Sequence, residues 1–185
     1  MIEHVVFLLE EPSAQDFLQA VLPGLLPSGM AAHFMVFEGK QDLEKQLLRR
    51  LKFWLRPNSR FIVMRDQDSG DCQVIKQHLQ ALCAAAGRPD AVVRIACREL
   101  ETFFVGDWQA IAQAFDKPAL AKHDRAAKYR DPDRLGSPSH ELRRVLPSYQ
   151  KREGARKIAA HLVPERNRSN SFQVLFETLR GLSRA

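Results

Sequence analysis

HVVFLL, residues 4–9, runs without a charged side chain and passes directly into Glu10, Glu11 and Pro12. A strand wetted on one face alternates polar and apolar residues, whereas an unbroken apolar run suits a strand covered on both faces. The residues that follow take helical spacing: Phe17, Leu18, Val21, Leu22 and Leu25, with Ser13 read as the cap and Pro23-Gly24 and Pro27 as the end. The same unit then repeats. Ala32–Phe37, Phe61–Met64 and Ala91–Ala96 read as further strands. Gln41–Leu55, Val74–Ala86 and Trp108–Phe115 read as helices. Strand and helix alternating through short connections predict a parallel sheet flanked by helices, joined by right-handed crossovers.

Beyond Asp116 the pattern changes. Residues 128–140 (KYRDPDRLGSPSH) are polar and rich in Pro and Gly, and read as a loop or lid. Two helices follow, near Glu153–Leu162 and from Ser171 onward. Phe172, Leu175, Phe176, Leu179 and Leu182 of the second form an apolar stripe that needs a surface to dock on. The division is therefore an α/β core over residues 1–116 and a basic, mostly helical extension over 117–185, packed together as a single compact domain.

Charge follows that division. The chain of 185 residues has 28 Lys+Arg against 22 Asp+Glu, a net +6. Residues 1–121 sum to −2 and residues 122–185 to +8. No run approaches the roughly 20 apolar residues of a membrane helix. Residues 1–9 carry Glu3 and lack a basic leader, which argues against a signal peptide. Cys72, Cys83 and Cys97 have neither disulfide-framework nor zinc-knuckle spacing. The expectation is a cytoplasmic protein with no membrane association.

Acidic residues gather where a parallel sheet places its chemistry, at the carboxyl ends of the strands. Glu10 and Glu11 follow the first strand, and Asp66 and Asp68 follow the third. In extended chain, residues i and i+2 face the same way, so Asp66 and Asp68 can aim at one point, with Glu10 beside them if the strands are neighbours. Such a cluster needs neutralising, and hard oxygen donors select Mg²⁺ or Mn²⁺. Glu99 and Glu101 form a second pair after the fourth strand, either as ligands of another ion or as first-turn acids of a helix.

LLEEPSAQDFL (8–18) resembles the first motif of TOPRIM domains, the module of topoisomerases, bacterial primases and the overcoming-lysogenization-defect nucleases. FIVMRDQD (61–68) resembles the second, an apolar strand ending in DxD. DQDSGDC (66–72), VRIACRELETFFVGD (93–107), YRDPDR (129–134) and NRSNSF (167–172) extend the resemblance to a bacterial family catalogued as domain of unknown function 4276. It implies a TOPRIM-like, Rossmann-like fold with a mostly parallel four-stranded sheet. It also implies a Mg²⁺-dependent nuclease, with Asp66 and Asp68 holding the ion and Glu10 as ligand or general acid/base. An ATPase partner encoded nearby and a role in defence against phages come with it. The Gly usual after the catalytic Glu is Glu11 here, which leaves Glu10 or Glu11 as the inward acid; position in the motif favours Glu10.

The basic last third supplies Arg130, Arg134, Lys151, Arg152, Arg156 and Lys157 as contacts for a DNA or RNA backbone. Without a GxxxxGK[ST] run, ATP use has to come from another chain. Two other readings compete: a non-catalytic interaction subunit, and a receiver-like phosphoryl acceptor, which lacks its expected Lys.

Overall fold

The structure, a computed structural model, describes residues 2–184. Four strands, β1 (His4–Leu9), β2 (Ala31–Val36), β3 (Ser59–Asp66) and β4 (Val92–Ala96), form one sheet. Its order is β2-β1-β3-β4, and every neighbouring pair is parallel. The unbroken apolar run of β1 has the expected cause. Val5, Phe7 and Leu9 enter one core and Val6 and Leu8 the other, so both faces are dry. β3 divides likewise, Ile62 and Met64 against Phe61 and Val63.

Eight helices surround the sheet among the described residues: α1 (Pro12–Val21), α2 (Lys40–Lys52), α3 (Cys72–Ala85), α4 (Thr102–Val105), α5 (Trp108–Ala114), α6 (Pro138–Val145), α7 (Lys151–Ala159) and α8 (Asn170–Gly181). α2 and α3 cover one face through Leu43, Leu47, Leu51, Leu79 and Cys83. The other face takes Phe17 and Leu18 of α1 together with α4, α5, α7 and α8. The α8 stripe docks here: Phe172, Leu175, Phe176, Leu179 and Leu182 share a core with Val5 and Phe7. The sheet is thus a Rossmann-like α/β layer closed by its own carboxyl-terminal helices.

Several local readings change. Ser13 does not cap α1; Glu11 is the residue before it, Pro12 opens it, and the Ser13 hydroxyl donates to Glu11 Oε1 at 2.6 Å. Asp71 is the cap of α3, accepting from the N–H groups of Gln73 (2.8 Å) and Val74 (3.1 Å). Residues 128–140 are no lid. They hold two short 3₁₀ turns and the start of α6. The segment is pinned where the Asp133 carboxylate accepts from Ser169 Oγ (2.6 Å) and Ser171 N–H (2.8 Å). A half-buried carboxylate with those partners is costly to pull away.

β1 connects to β2 on one side of itself, and the chain then crosses back to place β3 on the other. This reversal leaves a crevice at the carboxyl ends of β1 and β3, the position where open parallel sheets bind ligands. Glu10, Glu11 and Asp66 sit on its lip.

Candidate acidic site at the strand switch

Glu10 follows β1 and is held by β3: its Oε2 accepts the Asp66 N–H at 3.0 Å. Only 14% of its side chain is exposed, and Arg65 Nε lies 4.0 Å away. Burial raises its pKa, more than the Asp66 hydrogen bond and Arg65 lower it. Asp66 is more perturbed. Burial, then the charges of Glu11, Glu10 and Glu101, push its carboxyl well above the usual range, against the pull of Lys151. No donor among the described residues takes that carboxylate.

Glu101 completes the group. It stands at the start of α4, fully buried, and accepts a hydrogen bond from Tyr149 Oη at 3.1 Å. Its Oε2 is buried without a partner. Burial raises its pKa, and Lys151 opposes the shift. Lys151, from the first turn of α7, donates to Glu11 Oε2 at 2.6 Å and is held in its charged form by Glu101, Glu11 and Asp66 despite burial. One ammonium therefore sits among several carboxylates.

Tertiary structure redistributes the acids picked from sequence. Asp68 does not turn to the same point as Asp66. Its backbone is left-handed (φ 54°), which breaks the alternation expected of a strand, and its carboxylate pairs with Lys40 at 2.7 Å on the rim. Glu99 and Glu101 part company as well, because Glu99 accepts the Ser139 N–H at 2.7 Å in the first turn of α6. Glu10 and Glu11 both lie close enough to Asp66 to raise its pKa, Glu10 held by the Asp66 N–H and Glu11 by Lys151 and Ser13. Tyr149 and Lys40 were not singled out as site residues; neither has a local pattern that would have marked it. Asp107 is structural, buried and clamped by Arg166 at 2.8 and 2.9 Å.

The donor set suits a hard divalent cation. Its oxygens are carboxylate only, one of them is an orphaned buried atom, and their mutual repulsion is offset in part by Lys151 at Asp66 and Arg65 at Glu10. As the side chains stand, no three of His, Cys, Asp or Glu are grouped to hold an ion among the described residues. Glu10 is tied to the Asp66 N–H and Glu11 to Lys151. The candidates that would hold it are Glu10, Glu11, Asp66 and Glu101, with Asp68 at the edge.

The basic residues of the last third are largely occupied. Arg152 and Arg156 both grip Asp16 of α1, at 2.7 and 3.0 Å, and Lys157 pairs with Glu153 at 2.6 Å. Arg134 pairs with Asp131 at 3.0 Å, and Lys151 belongs to the acidic site. Arg130 is exposed and has no ion pair among the described residues.

An all-parallel four-stranded sheet flanked by helices, with acids gathered at its strand switch, defines the class: a Rossmann-like α/β protein. Within that class, the chain belongs to the family described as a domain of unknown function, DUF4276, whose sequence model matches residues 9–180. No curated protein and no solved structure matches it.

Proposed function

We propose that the protein is a Mg²⁺- or Mn²⁺-dependent TOPRIM-like nuclease that cleaves phosphodiester bonds in DNA or RNA. Its setting in this reading is the cytoplasm, with an ATPase partner, in defence against phages. The observation that carries the reading is the crowding of Glu10, Glu11 and Glu101 about Asp66, with Lys151 among Glu11, Asp66 and Glu101 and one Glu101 oxygen left unpaired. Carboxylates are rarely left to repel one another in a crevice unless a cation or a proton is part of the site.

A bound divalent ion supplies charge neutralisation at the phosphate and a more acidic water. Each protein group then has a task its surroundings suit. Asp66 offers a carboxylate free of protein donors. Glu10, its pKa raised by burial above the ordinary carboxylate value, is the acid suited to moving a proton while the Asp66 N–H fixes its orientation. Lys151 presents a positive charge to an incoming phosphate oxygen, and Tyr149 keeps Glu101 in place.

The test is cleavage of plasmid, single-stranded DNA and RNA by the full chain with Mg²⁺ or Mn²⁺. Asp66→Asn and Glu10→Gln are each expected to lower the rate by about 10²-fold or more. Asp68→Ala, on the rim, is expected to cost less. Cleavage that persists at the wild-type rate in the first two variants refutes the assignment.

A further inference from the structure

Residues 45–65 contain seven Lys and Arg and not one Asp or Glu. Two of the seven, Arg60 and Arg65, are paired with Asp90 and with Glu10 and Glu44. The other five, Lys45, Arg49, Arg50, Lys52 and Arg56, are exposed and make no ion pair among the described residues; Asp42, one turn back on the same helix, feels the charges of Lys45 and Arg50. Four belong to the outer side of α2 and the fifth lies just past its end. The cations of the last third, by contrast, are mostly spent on acids of this same chain.

The helix that carries these charges begins at the acidic site. Gly39 N–H donates to the Glu10 carbonyl at 3.0 Å, and Lys40 holds Asp68 at 2.7 Å. From there Lys45 and Arg49 follow one ridge at i, i+4 spacing, about 6 Å apart along the axis. The ridge ends at Phe53, whose ring is 68% exposed beside the half-buried Trp54. We infer that the outer face of α2 is a second contact surface for the nucleic-acid backbone, carrying the strand from the acidic site down the side of the sheet.

This rests on the nuclease reading for the identity of the polyanion, and charge selects it. Unpaired cations spread along a three-turn helix match a ligand that repeats its charge along its length. Phe53 at the far end offers a face on which a base can stack. An anionic membrane would need its apolar anchors and cations in one plane, but the strongly exposed Phe53 and Leu55 protrude at one end, away from Lys45, and Leu48 between Lys45 and Arg49 is only 36% exposed.

Binding of labelled duplex and single-stranded 20-mers by the full chain, in chelator and over a range of salt, tests the surface apart from cleavage. Lys45→Ala/Arg49→Ala/Arg50→Ala is expected to make the slope of log K against log salt shallower by about 2–3 on duplex, near 0.9 per lost phosphate contact. Lys45→Arg/Arg49→Lys/Arg50→Lys is expected to keep the wild-type slope. If the triple alanine variant does not fold, Lys45→Ala and Arg49→Ala alone should each remove about 0.9. An unchanged slope overturns the inference. So does loss of binding to phosphatidylglycerol vesicles with nucleic-acid binding intact, which would make the face a membrane contact. A wild type that binds through α2 but never cleaves sinks the nuclease reading and leaves this surface standing.

Discussion

Asp66 condenses the conflict in the site. Its carboxyl is driven up first by burial and then by Glu11, Glu10 and Glu101, so ionising it in the folded chain costs stability. A folded pKa above the unfolded value, about 4 for a carboxyl, favours the fold fully below that value. The advantage is lost as pH rises through the raised folded value. In chelator at pH 7, Asp66→Asn should therefore melt above the wild type, by about 2–4 °C for each kcal/mol of repulsion relieved. The gap should close as pH falls toward about 4. Added Mg²⁺ or Mn²⁺ should raise the wild-type Tm and not that of the variant. Melting curves at two pH values decide it, and coincident Tm values at pH 7 would count against a strained acidic cluster. Asp66 itself was readable from sequence, as an acid ending an apolar strand. That Asp68 turns aside was not, because its left-handed φ depends on the hydrogen bonds its loop makes with Arg98.

Among the elements, α1 and α7 set the geometry of the crevice, and Asp16 joins them. It is buried, which opposes its charge, yet the bonds from Arg152 and Arg156 together bring its pKa below the ordinary value. A depressed carboxyl gives stability that is present above the unfolded pKa and lost as pH falls through the folded one. Asp16→Asn should destabilise by about 1–3 kcal/mol at pH 7, and the difference should shrink below about pH 4; chemical denaturation at both values measures it. Gly154 shows the same fit in its backbone. A Cβ there would run into the Tyr149 ring, so α7 can approach closely enough to deliver Lys151. Helix positions were legible from apolar spacing: of the stripe Leu43, Leu47, Leu48, Leu51 and Trp54 that the spacing predicts, Leu43, Leu47 and Leu51 face the core with Trp54 against them, while Leu48 is exposed. The partners of Arg152 and Arg156 were not, because Asp16 lies more than a hundred residues away in the chain.

At the level of the whole molecule, one core runs from Val5 on the first strand to Leu182 after the last helix. Truncating a residue of the α8 stripe should therefore be felt globally: Leu175→Ala is expected to cost about 2–5 kcal/mol. Hydrogen exchange should accelerate in β1 as well as in α8 if the core opens as a unit, and a change confined to α8 would show that it docks only locally. Averaging charge over thirds of the chain placed the basic character at its end, whereas ion pairing in the fold spends most of those cations and, among the described residues, leaves Lys45, Arg49, Arg50 and Lys52 of α2 without an ion pair. The sequence by itself determined the parallel α/β layer and the strand ends on which acids sit, because apolar periodicity and strand–helix alternation are properties of neighbouring residues. Which acids meet, which turn away, and which cations stay unpaired was decided only by the tertiary structure. Those outcomes depend on contacts between segments far apart in the chain, where burial and the nearest opposite charge, not local spacing, fix the state of each group.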